Sequence, residues 1–189
     1  MMAERSIVVD AKRAFVEKAD RDLVVAAQQG DMRAYRELYE QYVGRVYALC
    51  YRLTGERTMA EDATQEVFIQ LWNKLGNFNG QSKFTTWLHS VTSNITISYI
   101  RKQKGWFQRS FNIEDSPVMS EEAEASIDSI SLDNYLVRLP ERARHVFVLH
   151  AIEGYRHEDI ADLLKMAVGT SKAQFHRAKS LLTEWMENE

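Results

Sequence analysis

The stretch Lys83 to Lys104, KFTTWLHSVTSNITISYIRKQK, begins aromatic and apolar and ends in a cluster of cations. Such a segment has to pack along one side and hold an anion at its far end. Read at helical period, Phe84, Trp87, Leu88, Val91, Ile95 and Tyr99 fall on one side, and Arg101, Lys102 and Lys104 close the last turn, where cations complement the helix dipole. A strand is the rival, because Val91, Ser93, Ile95, Ile97 and Tyr99 also alternate and are partly β-branched or aromatic. Helix is chosen because about 22 residues pass without Gly or Pro, well beyond a typical strand. Trp87, Leu88 and Ile95 then belong mainly to a core. The functional weight moves to the cations and to the preceding loop.

Upstream, Asp20 or Asp22 can cap a short helix ending at Gly30, and Asp31 can cap a longer one with Tyr35, Leu38, Tyr39, Tyr42, Val46, Leu49, Cys50 and Leu53 on a wide apolar face. Gly55 stops it. A third helix from Thr58 to Leu75 places Ala63, Val67, Leu71 and Leu75 on one stripe and Glu61, Asp62, Gln65, Glu66 and Gln70 mostly off it. Taken alone, that acidic face reads as a solvated surface. A loop of Gly76, Asn77, Asn79, Gly80 and Ser82 follows, interrupted by Phe78, which either plugs the core or offers a stacking surface.

Downstream, Gly105 to Ser131 loses periodicity, gains Ser and acid, contains Pro117 and reads as a flexible linker on which Trp106 and Phe107 can dock back. It divides the chain into two helical domains, and the second is small enough to be marginal without a partner. There, a short helix ends at Pro140, and another runs from Glu141 to Ile152. The run YRHEDIADLLKMAVGTSKAQFHRAKSLL then places one short helix, a tight turn at Lys165 to Ala167, and a second helix with Phe175, Ala178, Leu181, Leu182 and Trp185 inward. Lys172, Gln174, His176, Arg177 and Lys179 point largely outward, as a helix-turn-helix entering a major groove requires. A generic αα hairpin is the bland alternative. Two features fit imperfectly: Lys165 occupies a turn position suited to Gly, and Ser171 stands where an apolar contact is usual.

The totals narrow the field. With 45% hydrophobic and 27% charged residues, the 189-residue chain is ordinary for one or two globular domains. A net charge of -3 does not itself suggest nucleic acid, but Arg101 to Arg109 and Lys165 to Lys179 are basic patches flanking an acidic connector. No apolar run approaches the roughly 20 residues of a membrane span, and no signal-peptide pattern opens the chain, so a cytoplasmic location without membrane insertion is expected. The single cysteine, Cys50, excludes an internal disulfide and reads as a buried thiol. The histidines lack metal-ligand spacing and no phosphate-binding glycine motif occurs, so no enzyme, catalytic residue, metal or cofactor is expected.

The blocks AEDATQEVFIQLWNKL, FNGQSKFTTWLHSVTSNITISYIRKQK, LPERARHVFVLHAIEGYRHEDIADLL and VGTSKAQFHRAKSLL, in this order around an acidic linker, resemble an extracytoplasmic-function sigma factor of the sigma-70 family. The resemblance spans about residues 20 to 187. It implies an all-α chain: an N-terminal extension at 1–19, sigma region 2 at 20–104, a linker at 105–130 and sigma region 4 at 131–189. It also implies binding to core RNA polymerase, through the β′ clamp helices and the β flap, to start transcription at promoters. Glu61, Asp62, Gln65, Glu66 and Trp72 would face the polymerase. Phe78, Asn79, Ser82, Lys83, Phe84, Trp87, Asn94, Arg101 and Lys102 would read and hold the minus-10 strand. Thr170, Lys172, Ala173, His176, Arg177 and Lys179 would meet the minus-35 duplex. The linker would pass toward the RNA exit channel.

The chain departs from the family pattern at Met59, where many relatives carry an acid, and at Ser171, Ala173 and Gln174, which bear on minus-35 preference. An anti-sigma factor is the implied regulatory partner. A lesser alternative is phosphorylation at Thr58 or Thr64, since a phosphate adds about -1.5 to -2 charge and could make up for Met59. A rival for the whole is a helix-turn-helix regulator that binds DNA without joining polymerase.

Overall fold

Asp31 opens the first long helix by accepting the backbone N–H groups of Arg33 at 2.8 Å and Ala34 at 3.3 Å, the geometry of an N-cap. The computed structural model describes residues 20–111 and 132–188, with side chains described for all but 106–111 of these. The extension 1–19, most of the expected linker, and the side chains of Trp106 and Phe107 therefore lie outside the described residues. Helix α1 covers residues 20–28, and α2 is Met32–Thr54, ended by Gly55 at φ 74. Glu56 caps α3 (Arg57–Lys74), its carboxylate accepting from the N–H groups of Thr58 and Met59 at 2.7 Å. After one 3-10 turn, Leu75–Asn77, comes α4, Phe84–Phe111. The second half contains α5 (Leu132–Arg138), α6 (Glu141–Phe147) running on as a π-helical turn Val148–Ile152, α7 (His157–Leu164) and α8 (Val168–Glu187). No strand occurs among the described residues.

The first core joins Leu38, Tyr42, Val46 and Cys50 of α2 to Val67 and Leu71 of α3 and to Phe84, Leu88 and Ile95 of α4. Ala60 and Ala63, both 0% exposed, let α3 approach its neighbours closely. The second core is built from Leu136, Leu139, Val146, Leu149, Ile160, Ala178 and Leu182, but it also takes in Leu49 and Leu53 of α2 and Ile97 and Ile100 of α4. Helix α4 is thus buried on two sides, with Ile95 in one core and Ile97 in the other. That double burial produces the alternation that makes the stretch resemble a strand.

Polar contacts reinforce the shared core. Arg144, on α6, is buried and donates from Nη2 to Thr54 O at 2.8 Å and from Nη1 to Val137 O and Leu139 O at 3.2 Å each. His145 Nε2 bonds Leu53 O at 2.9 Å, and Arg52 engages Asp133 through both oxygens at 2.7 and 3.3 Å. The small second domain finds its missing partner surface on α2 and α4.

The expected linker start is displaced. Gly105 lies inside α4, which continues to Phe111. A single glycine within a helix costs only about 1 kcal/mol, which a long packed helix absorbs.

Candidate nucleic-acid and partner interfaces

On α3 the face opposite the core carries Glu61, Asp62 and Gln65, all exposed, and the half-buried Glu66. Asp62 accepts a hydrogen bond from the Tyr99 hydroxyl at 3.1 Å, and Glu66 pairs with the Gln70 amide. Trp72 is half-buried and meets Tyr35 edge-to-face at 4.8 Å; the Tyr35 hydroxyl, raised to about 12 by burial, donates to Phe68 O. Ile69 stands 61% exposed, four residues beyond Gln65, and Tyr39 of α2 is 43% exposed. Sequence reading missed Ile69, although it lies off the buried Ala63, Val67 and Leu71 stripe, and it set Tyr39 on the packed apolar face, whose edge the structure leaves open to solvent. The face is therefore amphipathic, acid beside exposed apolar surface, and it suits a helix of complementary charge.

Thr58 and Thr64 differ sharply. Thr58 is exposed in the first turn of α3, whereas Thr64 is buried and its hydroxyl donates to Ala60 O at 2.7 Å. A modifying enzyme reaches the first as folded and the second only after α3 is pulled from the core. Met59 does not join the acidic face; it packs against the second core.

The loop before α4 is held from below. Gln28 Nε2 donates to Leu75 O and Phe78 O at 2.8 Å each, and Asn79 Oδ1 accepts from Gln81 N at 3.1 Å. Phe78 and Trp87 are half-buried with ring centroids 5.2 Å apart, so they form an aromatic shelf beside the exposed Asn79, Ser82 and Lys83. Phe84, expected at a nucleic-acid surface, is instead 6% exposed and serves as the floor of that shelf, 6.0 Å from Trp87. Phe84 and Trp87 share one side of α4, Phe84 within the core and Trp87 only partly buried against it. Farther along, Asn94, Arg101 and Lys102 are exposed on α4. Arg101 Nη2 donates to Leu163 O of α7, and Lys104 pairs with Glu141 at 2.5 Å.

In the second half, Ile160 of α7 packs with Ala178 and Leu182 of α8 in one core, with Ala161 buried beside it, across a turn at Lys165, whose φ of 53 is left-handed. Ser171 is 0% exposed and bonds His157 Nδ1 at 2.9 Å. The missing apolar contact is thus replaced by a paired hydroxyl, and His157 in turn stacks on His150 at 4.2 Å. The outer face of α8 presents Lys172, Ala173, His176, Arg177 and Lys179, with Thr170 half-buried at its edge. These side chains lie together near the N-terminal half of α8. They are placed to reach base edges and phosphates of a duplex.

A helix-turn-helix with an open basic face, joined to a helical domain bearing an aromatic shelf and an acidic helix, defines a two-domain DNA-binding transcription factor. Residues 38–105 match the family model of sigma-70 region 2, and residues 129–182 match that of sigma-70 region 4. The chain is 31% identical over 175 residues to the ECF RNA polymerase sigma factor SigW of Bacillus subtilis, covering 85% of this chain and 93% of SigW. It is 30% identical to the RNA polymerase sigma-H factor of Pseudomonas aeruginosa, covering 90% and 95% of the two chains. In fold it is similar to the sigma factor RpoE solved with the anti-sigma factor NepR from Bartonella quintana, with TM-score 0.57 at 23% identity over 82% of this chain and 98% of that one. The chain belongs to the extracytoplasmic-function sigma factors of the sigma-70 family. Its function is promoter-specific transcription initiation with RNA polymerase, not stand-alone regulation.

Proposed function

We propose that the acidic and apolar face of α3, Glu61, Asp62, Gln65 and Glu66 with Trp72 and the neighbouring Ile69, binds the β′ clamp helices of core RNA polymerase. The aromatic shelf of Phe78 and Trp87, with Asn79, Ser82, Lys83, Asn94, Arg101 and Lys102, takes the nontemplate strand of the minus-10 element. Lys172, Ala173, His176 and Arg177 read the minus-35 duplex, with Thr170 and Lys179 against its backbone, and the second domain rests on the β flap. The chain performs no covalent chemistry itself and acts in the cytoplasm. No helix among the described residues is long and apolar enough to cross a membrane, in keeping with that site of action. The similar sigma factor RpoE is solved with the anti-sigma factor NepR, and the similar CnrH, at TM-score 0.50 and 24% identity, with the cytosolic domain of CnrY, which supports an anti-sigma partner here.

The observation that carries this reading is spatial separation. Acid, aromatic and basic groups occupy three distinct surfaces, as one chain bridging a protein, a single strand and a duplex needs. The test is in vitro transcription with purified core polymerase and sequencing of the start sites. Glu61→Lys with Asp62→Lys should abolish complex formation on gel filtration while leaving helicity unchanged, because both residues are exposed. Arg177→Ala should weaken minus-35 discrimination by roughly 1–3 kcal/mol if the guanidinium makes a bidentate base contact. Normal polymerase affinity in the first variant, or an unchanged promoter profile in the second, removes the corresponding assignment.

A further inference from the structure

Beneath the basic face of α8 lies an aromatic cluster that none of the roles above uses. His157, the first residue of α7, stacks on His150 of the π-helical turn at 4.2 Å, and the two imidazoles meet the Phe175 ring of α8 edge-to-face at 5.8 and 4.7 Å. His150 is fixed in turn, its Nδ1 donating to Tyr155 O at 2.8 Å. A hydrogen bond then ties the cluster to α8: His157 Nδ1 and Ser171 Oγ lie 2.9 Å apart, and Ser171 is fully buried.

The side chains assigned to the minus-35 duplex are seated on this cluster. Thr170 and Lys172 flank Ser171 near the start of α8, and Lys179 Nζ lies 5.9 Å over the Phe175 ring. Lys172 and His176 are close enough to act on the imidazole: partial burial first, then His150, Lys172 and His176, hold His157 below its ordinary range, against the pull of Glu158. A neutral ring has one nitrogen to accept and one to donate, so Nδ1 can pair with the hydroxyl in either sense. The bond runs from the end of α7 farthest from the turn at Lys165 to the first turn of α8. A buried hydroxyl deprived of it would have to move toward another partner, carrying Thr170 and Lys172 with it.

We propose that His157 is a positioning residue for minus-35 recognition: through its hydrogen bond to Ser171 it fixes how α8 lies on α7, and so where Lys172, His176 and Arg177 arrive on the duplex. Its part is indirect, and it rests on the minus-35 reading of α8.

The test uses holoenzyme assembled from the full chain and purified core polymerase, at a concentration limiting for transcription from a promoter found by start-site sequencing. Transcript from that template is divided by transcript from the same template with its minus-35 element scrambled. His157→Phe keeps a ring for the stack but not the bond, and should lower this ratio roughly tenfold, the size of one buried hydrogen bond left unmade. Ser171→Ala should lower it too, and the double variant no further than the lower of the two singles, because both remove one interaction. His157→Asn loses the ring but returns an amide to the place of Nδ1, and should keep most of the parent ratio. A domain that is only destabilised loses both templates alike and leaves the ratio unmoved.

An unchanged ratio in His157→Phe, equal losses in His157→Phe and His157→Asn, or losses that multiply in the double variant each overturn the positioning role. If circular dichroism shows that His157→Phe does not fold, Ser171→Ala is held to the same outcomes against His157→Asn. No difference between the templates for the parent chain overturns the minus-35 reading of α8, and the positioning role with it. Discrimination by the parent that survives His157→Phe overturns the positioning role alone.

Discussion

Lys165 sits in the turn of the helix-turn-helix at φ 53 and ψ 52, the only non-glycine residue among those described with positive φ. The left-handed region costs an L-residue roughly 1–2 kcal/mol through Cβ crowding, and glycine is free of it. The lysine side chain is exposed, so nothing in the core depends on it. Lys165→Gly should raise stability by about 1 kcal/mol, seen as a higher Tm in thermal denaturation followed by circular dichroism. An unchanged or lower Tm would mean that the lysine itself makes a favourable contact. The misfit of Lys165 was visible in the sequence, and the structure keeps it as real strain. The second misfit, Ser171, dissolved instead. Its partner, His157, lies fourteen residues away at the start of α7, and a hydrogen bond between two helices leaves no periodic trace.

Gly55 carries two duties at the scale of an element. It ends α2 in a left-handed conformation, its N–H donating to Tyr51 O at 2.8 Å, and it leaves space for the guanidinium that covers the last carbonyls. Gly55→Ala should therefore disturb the helix end and the interdomain contact together. The expected result is a loss of about 1–3 kcal/mol in stability and lower energy transfer between dyes on Gln29→Cys and Thr183→Cys, exposed positions of the two halves. Loss of stability with the halves still in register would restrict the effect to the backbone. The helices themselves were legible from periodicity and punctuation: Asp31, Gly55 and Pro140 each mark an expected boundary. What periodicity concealed was which side each residue faced when a helix was buried twice. Ile97 and Ile100 could not be separated from Ile95 until the second domain supplied their neighbours. For the same reason the core position of Phe84 was hidden in a stripe that looked uniform, whereas Ile69 lay visibly off its stripe.

Acid should open the molecule as a whole. Burial, against the pull of Glu141, pushes the His145 imidazole down to about 4, from an ordinary 6.5. Burial would raise the Glu141 carboxyl, but the Lys104 ammonium, with His145 and Arg144, outweighs it and holds the carboxyl low. A histidine depressed in the closed state contributes fully above its ordinary value and loses that contribution as pH falls toward the lowered one. The Glu141 contribution also disappears with acid. Closure should weaken from about pH 6.5 downward, read as falling energy transfer between the halves in a His89→Gln background that removes the other interdomain imidazole, which meets Glu153. His145→Gln, which keeps a donor for Leu53 O, should flatten the profile. A flat profile in the parent chain would exclude His145 as its source. The division into two domains could be seen in composition alone, but their contact could not, because nothing in the spacing of Arg144, His145 and Asp133 points to α2.

Met59 places this contact in a trade-off. A side chain in the first turn of α3 can serve the apolar seam between the halves or, as an acid, the surface proposed to meet polymerase. It cannot serve both. Methionine there serves the seam; an acid in its place would add one negative charge beside the proposed polymerase face and lose that packing.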